Sequence, residues 1–188
     1  MMAAMTVQDD VTSAVRARAR VRVVHTVAPS PVGPLTLVAH DGGLSGLLLP
    51  GSKYESVQGP FGDRADDEFD EVQTQLDEYF AGTRTAFDLP LHFVGTTFQR
   101  RVWAGLLRIP YGQTRSYGEL AADIGLDPRT SSRAVGAANG RNRIAIVVPC
   151  HRVIGGDGSL TGFAAGLERK RFLLAHEAKG RPREHLLF

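Results

Sequence analysis

Short apolar runs alternate with turn-forming residues in the first fifty positions of the chain. Residues 21–28, 35–40 and 44–49 are rich in β-branched and aliphatic side chains. Pro31-Val32-Gly33-Pro34 and Asp41-Gly42-Gly43 separate them, as is typical of turns between antiparallel strands. The pattern predicts a three-stranded meander.

Two longer segments place apolar residues at helical spacing. Residues 66–80 predict one helix, with Gly82 just past its end. Its apolar stripe is Phe69, Val72, Leu76, Tyr79 and Phe80. Residues 97–108 predict a second helix, with Thr97 as its cap. Its apolar face is Phe98, Val102, Leu106 and Ile109.

Two short helices follow, each with a start signal. The capping box Ser116-Tyr117-Gly118-Glu119 opens a helix that runs to Ile124. Asp127-Pro128 then starts another helix, which Gly140 can end. The pair predicts a helix-turn-helix. Short helix pairs are also common in proteins that bind no DNA, so this alternative stays open.

The second short helix has one slim, basic side. The residues on that side are Arg129, Ser132, Arg133 and Gly136. Its remaining residues can pack on the first helix; they include Ala134, Val135, Ala137 and Ala138. A slim basic face can approach a duplex closely, even in the narrow minor groove.

The only cysteine of the chain follows a buried-strand candidate. Residues 144–148 are continuously apolar and lead into Pro149-Cys150. Proline ends sheet pairing, so the chain leaves the strand where it presents the thiol. A lone cysteine is more often an inert buried side chain than a nucleophile. Here its neighbours His151, Arg152 and Asn142 favour the nucleophile.

In an extended chain His151 points away from the sulfur, so it would deprotonate the thiol through a water or after a bend in the chain. An acid is then needed to orient the imidazole of His151. Glu177 is the best candidate, because it lies on the apolar side of a helix that begins near Leu167. A carboxylate there must find a partner. A plain salt bridge to a nearby arginine is an equally good explanation.

Charge and composition narrow the class of protein. The net charge is +2, but residues 1–90 hold 7 Lys and Arg against 13 Asp and Glu, and the remainder holds 15 against 7. A basic second half suggests a polyanion partner, although a solvated arginine-rich surface would look the same. We expect no membrane span and no signal peptide, and a free thiol fits a reducing cytosol.

Four ordered motifs carry a family resemblance. They are Gly95-Thr96-Thr97-Phe98-Gln99 with Val102-Trp103, Ile109-Pro110-Tyr111-Gly112 with Ser116-Tyr117, the run from Ser132 to Gly140, and Pro149-Cys150-His151-Arg152-Val153. Over roughly residues 85–178 the chain resembles the O6-alkylguanine-DNA alkyltransferases. Residues 21–84 resemble that family's N-terminal domain more loosely.

The resemblance implies a reaction and a role for each matching residue. Cys150 would take the alkyl group from O6-alkylguanine, and by extension O4-alkylthymine, as a stable thioether after the base is flipped. His151 would be its base through water, held by Glu177. Tyr117 would protonate the guanine ring, and Asn142 would brace the turn before the cysteine. The DNA-binding residues would be Arg133, which fills the gap in the base stack, with Arg129, Ser132, Gly136 and Tyr117.

The resemblance also implies a substrate pocket, with three departures from the family pattern. Val153 and Ala164 would contact the flipped base through their backbones, beside Phe163 and Ala165. Phe163 stands where the family usually has tyrosine, so we expect a hydroxyl contact to be lost and the apolar wall to remain. Ala165 stands where glycine is frequent, so we expect a narrower alkyl pocket. Arg143 replaces a usual proline after Asn142.

We expect no metal and no cofactor. Some relatives bind zinc in the N-terminal domain, but that half of this chain has no cysteine, and His25 and His40 lack neighbours at ligand spacing. Trp103 is predicted to lie in the core and not to stack on a base.

The sequence therefore predicts an α+β protein of two units. An N-terminal α+β domain, ribonuclease H-like by resemblance, would span residues 21–90. A mainly helical domain with the helix-turn-helix and the site would span residues 91–180, with tails at 1–20 and 181–188. We expect a cytoplasmic monomer that binds double-stranded DNA, with cooperative assembly on DNA left open. The rival hypotheses are a non-enzymatic DNA-binding regulator and a Cys–His hydrolase.

Overall fold

The computed structural model describes residues 21–52 and 61–179. Strands β1 (Val23–Ala28), β2 (Leu35–His40) and β3 (Gly43–Leu48) pair in antiparallel order, which confirms the meander. A two-residue strand that the sequence did not predict, β4 (Asp63–Arg64), pairs in parallel with β1, and the sheet order is β3-β2-β1-β4. The predicted tails lie outside the described residues, and the predicted division at residues 90 and 91 stays a prediction.

The first predicted helix is divided in two. A 3-10 turn, Asp66–Phe69, leads into α1 (Asp70–Ala81). Gly82 ends α1 with a φ of 77°, and its N–H donates to the Tyr79 carbonyl. Glycine adopts this left-handed conformation without the steric cost that a side chain adds. The helix lays Val72, Leu76 and Tyr79 into the core.

The next helix, α2 (Thr97–Leu106), begins with a different cap from the predicted one. Thr96 is the N-cap: its hydroxyl accepts from the Gln99 N–H at 3.3 Å, and the Gln99 side chain accepts from the Thr96 N–H at 2.9 Å. The assignment of the cap to Thr97 was therefore wrong by one residue. Phe98 is 36% exposed and does not share the buried face, because it lies in the first turn, outside the packed surface.

The helix-turn-helix forms as predicted. Helix α3 (Tyr117–Asp123) opens with the complete capping box, and Asp127 caps α4 (Pro128–Asn139) by accepting from the Arg129 N–H. Gly125 makes the turn with a φ of 72°. A strand of two residues, β5 (Arg115–Ser116), precedes α3 and pairs with β6 (Val153–Ile154).

The strand predicted over residues 144–148 is not formed, although the segment is buried throughout. Only Ile144 makes a strand-like bridge, to Leu47 of β3. The chain then turns back on itself, and the Val148 N–H donates to the Ile144 carbonyl at 2.9 Å. Ile146 has a φ of 71°, which β-branched residues rarely adopt. In so tight a turn, the backbone N–H and C=O groups do not form the regular row of unpaired donors and acceptors that strand pairing needs.

The core continues from the sheet into the helices, and the last helix, α5 (Leu167–Lys179), packs on the segment that bears the cysteine. Trp103 is 3% exposed and donates from Nε1 to the Ala138 carbonyl at 2.9 Å, so its predicted core role is confirmed. No helix in residues 21–52 and 61–179 has the length and apolar character needed to cross a membrane.

Candidate active site

Cys150 is the first residue of a 3-10 turn, Cys150–Arg152, directly after Pro149. It is a free cysteine with 6% exposure, and it lines a small cavity. Burial raises the pKa of the thiol, while a hydrogen bond from Asn142 and the charge of Lys170 act in the opposite direction. The sulfur is thus shielded from bulk water and is surrounded by groups that stabilise a thiolate.

Asn142, to which the resemblance gives the role of bracing the turn before the cysteine, makes two hydrogen bonds within that turn. Its Nδ2 donates to the Val148 carbonyl at 2.8 Å, and its Oδ1 accepts from the Ile144 N–H at 3.0 Å. Both bonds close the turn that Ile146 makes possible. Asn139, which the sequence reading did not select, donates to the Cys150 carbonyl at 3.5 Å.

His151 is fully buried, and its Nε2 lies 2.8 Å from Oε1 of Glu177. Burial lowers the pKa of the imidazole more than the carboxylate raises it, so the ring is neutral near pH 7. A carboxylate on Nε2 favours the tautomer with its proton there. Nδ1, which has no hydrogen-bond partner in the described part of the chain, is then a proton acceptor.

Glu177 accepts hydrogen bonds from four residues. His151 is one, and Arg152 donates from Nε and Nη2 at 2.9 and 3.0 Å. The others are the Tyr79 hydroxyl at 2.9 Å and the Gly112 N–H at 3.0 Å. Burial alone would raise the pKa of Glu177, but His151 and Arg152 outweigh it and hold the pKa well below its usual range. Both explanations of this residue therefore apply, because it holds the imidazole and pairs with an arginine.

Tyr117, at the start of α3, is half-buried, and its hydroxyl lies close to Gly162, a residue of the cavity wall. Its hydroxyl donates to the Thr161 carbonyl at 3.3 Å. Burial is the largest cause that raises the pKa of this phenol, and the charge of Cys150 adds to it. The hydroxyl therefore keeps its proton near neutral pH.

The predicted pocket residues do not all line the cavity. Phe163, Ala164 and Ala165 lie in its wall with Cys150, and Gly162 does as well. Val153 is fully buried, and its carbonyl accepts from Nζ of Lys170 at 2.6 Å. Neither Lys170 nor the bond to Val153 has a signal in the sequence, because a lysine on a helix is usually solvated.

The exposed side of α4 carries the predicted arginines. Arg129 and Arg133 are exposed, whereas the Ser132 hydroxyl donates to the Pro128 carbonyl. Gly136 packs against the Tyr117 ring, where an added Cβ would meet it at 3.5 Å.

The prediction that Ala134 and Ala137 pack on the first helix was wrong, because both are exposed. The buried stripe of α4 follows Val135, Ala138 and Asn139, at helical spacing, and leaves its flanks to solvent.

The two histidines considered for zinc lie apart from the cysteine. His40 is 3.0 Å from the Ser45 hydroxyl and stacks on His92, and His25 lies beside Phe61. Within residues 21–52 and 61–179, no three His, Cys, Asp or Glu side chains are grouped as metal ligands.

Two family models match the chain in succession. Residues 23–93 match the ribonuclease-like domain of 6-O-methylguanine DNA methyltransferase, and residues 97–179 match its DNA-binding domain. A methylated-DNA–protein-cysteine methyltransferase from Mycobacterium bovis is 48% identical over 85% of this chain and 94% of its own length. One from Methanosarcina acetivorans is 47% identical over 81% and 97%. The crystal structure of Mycobacterium tuberculosis OGT in complex with DNA is 47% identical, has a TM-score of 0.77, and covers 85% of this chain and 95% of its own.

Proposed function

The chain belongs to the 6-O-methylguanine DNA methyltransferase family, and from this premise we propose that it repairs DNA by moving an alkyl group from guanine O6 to Sγ of Cys150. The observation that carries the proposal is a cysteine in the wall of a small cavity, followed by a histidine, His151, that burial keeps neutral and Glu177 holds in place. The protein is a transferase that acts once, because a thioether has no leaving step.

The first step is the loss of the thiol proton. Nδ1 of His151 takes it through a water molecule, and the bond from Nε2 to Glu177 stabilises the imidazolium that forms. The thiolate is then a strong nucleophile in a site that excludes bulk water. Burial raises the pKa of Cys150, so the rate of transfer rises with pH until the thiol is ionised.

The second step is displacement at the alkyl carbon. A sulfur lone pair forms the new carbon–sulfur bond while the carbon–oxygen bond to guanine O6 breaks. The electron pair of the broken bond passes to the guanine ring, which the Tyr117 hydroxyl protonates. The hydrogen bond from Tyr117 to the Thr161 carbonyl is long, so the substrate can replace it at little cost.

The base must leave the stack to reach the cavity. The slim side of α4 lies against the duplex, Arg133 fills the gap that the base leaves, and Arg129 contacts phosphate. The basic second half supplies attraction to the backbone without reading sequence. The same pocket accepts O4-alkylthymine, which presents a similar alkyl ether. We place the protein in the cytoplasm as a monomer on double-stranded DNA.

The deciding experiment is the intact mass of the protein after incubation with an oligonucleotide that contains O6-methylguanine. We expect each molecule to gain one methyl group, located on Cys150 by peptide mapping. The variant Cys150→Ser should gain none. Repeated turnover with an unmodified sulfur would instead indicate a hydrolase, and DNA binding without any methyl gain would indicate a regulator.

A further inference from the structure

Lys170, in the first turn of α5, is a fully buried lysine. A buried ammonium group is costly unless it is hydrogen-bonded and its charge is balanced. Its recorded hydrogen bonds go to two backbone carbonyls, those of Val153 and Thr161, and no carboxylate in the described residues pairs with it. A lysine kept under these conditions is not explained by solubility or by a surface ion pair.

The two carbonyls belong to the same functional segment. We define the pocket loop as residues 153–165, which run from the end of the cysteine turn to the wall of the cavity. Val153 is its first residue, and Thr161 directly precedes the wall. The ammonium group therefore ties together the two ends of a nine-residue excursion that has little regular structure of its own.

The neighbouring residue, Arg169, continues this arrangement. Its Nη1 donates to the Ala165 carbonyl at 3.0 Å, and its Nε donates to the Val32 carbonyl at 3.1 Å. Two successive cations of α5 thus hold three carbonyls of the pocket loop, and one of them also joins the loop to the first unit.

Lys170 is also linked to the two reacting side chains, to Tyr117 through a shared carbonyl and to Cys150 through its charge. The Thr161 carbonyl that it holds is the one that accepts from the Tyr117 hydroxyl, so Lys170 and the proton donor share one acceptor before the substrate arrives. Burial lowers the pKa of Lys170, the Cys150 charge offsets part of that effect, and the resulting pKa is about 8. The ammonium group is therefore protonated near neutral pH, where its charge favours the Cys150 thiolate and disfavours protonation of His151.

We propose that Lys170 is a positioning residue for alkyl transfer, which holds the pocket loop over Cys150 through two carbonyls and places a positive charge beside the thiolate. The role deepens the proposed function and rests on it. Other charged groups around the site are Arg152 and Glu177, which neutralise each other, and Arg169, which is part-buried on the same helix. Lys170 is thus the cation whose removal changes both the loop and the thiol.

The test compares Lys170→Met with Arg171→Met, which removes an exposed cation one residue away on the same helix. Transfer from free O6-benzylguanine, measured in single turnover, should slow about tenfold or more in Lys170→Met, because a small misplacement of the pocket wall has a large effect on rate. Because the chain has one cysteine, the pH profile of its reaction with iodoacetamide reports the ionisation of Cys150. At pH 7, where Lys170 is charged, this reaction should be about tenfold slower in Lys170→Met, because no ammonium group then favours the thiolate. The difference should shrink above pH 8, where Lys170 of the wild type loses its charge, and Arg171→Met should match the wild type in both measurements.

A folded Lys170→Met protein with the wild-type transfer rate and the wild-type iodoacetamide profile would overturn the proposal. A slower transfer with an unchanged iodoacetamide profile would also overturn it, since it would leave Lys170 a purely structural role. If Lys170→Met does not fold, Lys170→Gln replaces it, with the same two expected changes. The iodoacetamide profile needs no DNA, so it tests Lys170 even if the wild type transfers no alkyl group, and that failure would belong to the proposed function alone.

Discussion

A single carboxylate, Glu177, accepts hydrogen bonds from four residues in a site that is shielded from bulk solvent. The donors come from three separate parts of the chain, because His151 and Arg152 are neighbours in one turn, and together they restrict rotation of the carboxylate. The imidazole of His151 is therefore fixed in orientation and tautomer before any substrate arrives. Fixing these in advance is how a positioned base gains efficiency.

Glu177→Gln should slow transfer from both duplex and free-base substrates by about 100-fold, because an amide neither fixes the tautomer nor stabilises the imidazolium. It should also lower the free energy of unfolding by about 3–5 kcal/mol, since Arg152 would remain buried without its partner. Single-turnover rates and urea unfolding measure the two effects, and DNA affinity should change little.

Glu168→Gln is the matched control for this prediction, because Glu168 is exposed in the first turn of the same helix. It should alter neither quantity. An unchanged transfer rate in a folded Glu177→Gln protein would reduce Glu177 to the ion-pair partner of Arg152.

At the level of secondary-structure elements, the helix-turn-helix leaves the slim side of α4 exposed to solvent. Small residues leave the outer side of α4 without bulk, and its inner stripe of Val135, Ala138 and Asn139 leads to the cavity. The helix that we propose to contact the duplex therefore also supports the cysteine turn, through the bond from Asn139 to the Cys150 carbonyl.

Arg133→Ala should impair the repair of duplex DNA by about 10-fold or more while leaving the reaction with free O6-benzylguanine unchanged, because only the duplex needs its gap filled. The expected loss corresponds to the few kcal/mol that an unstacked base costs. The measurement is the single-turnover rate at saturating DNA. Arg129→Ala, one turn earlier on the same side, should weaken DNA binding without lowering that saturated rate. Equal losses on both substrates would assign Arg133 to folding or to the pocket.

The elements also show which local sequence signals are sufficient to predict where a helix begins or ends. Capping residues and glycines decide the ends of α3, α4 and α1, because those bonds form within a few residues. Local patterns gave a wrong prediction for residues 144–148, because a continuous run of buried apolar residues occurs both in strands and in buried turns. What distinguishes them here is the φ of Ile146 and the side chain of Asn142, and neither follows from hydropathy.

Several long-range partners in the site also could not be predicted from local sequence patterns. His151 and Glu177 were found because a motif and an apolar helix face marked them. Tyr79, Gly112 and Lys170 were missed because each is defined by what lies against it in space. The sequence alone does not distinguish a buried lysine from a solvated one, or a tyrosine that only fills the core from one that donates to a buried carboxylate.

Across the whole molecule, the first unit takes part in the site although it holds no reacting group. Tyr79 from α1 donates its hydroxyl to Glu177, 98 positions away in sequence. Backbone bridges join Leu47 to Ile144 and Leu44 to Leu91, so β3 supports the segment before the cysteine. The site is therefore a property of both units, and conditions that loosen their junction should affect it.

The free energy of unfolding should fall as the pH drops below about 6.5, the ordinary pKa of histidine. Burial lowers the pKa of His151, so between that value and the folded pKa the unfolded chain binds a proton that the folded protein does not. Stability then decreases with acid by up to about 1.4 kcal/mol per pH unit for this one group. Below about pH 4.3, the depressed pKa of Glu177 adds a loss of the same sign.

Urea unfolding at pH 7.5, 6.5 and 5.5 measures the slope. His151→Gln should flatten it, whereas His92→Gln, at an exposed position, should retain it. A slope that survives in His151→Gln would place its origin elsewhere in the protein.

The bridge between β3 and Ile144 bears on how such a chain could be recombined in evolution. The Leu47 N–H donates to the Arg143 carbonyl at 2.7 Å, and the Ala145 N–H donates to the Leu47 carbonyl at 3.1 Å. A foreign domain fused in place of the first unit would have to present an edge strand where β3 now lies. Otherwise the Arg143 carbonyl and the Ala145 N–H would lose their hydrogen-bond partners. It would also have to supply a hydroxyl where Tyr79 now reaches Glu177. Fusions that meet neither condition should yield chains that still bind DNA and no longer hold their cysteine ready to react.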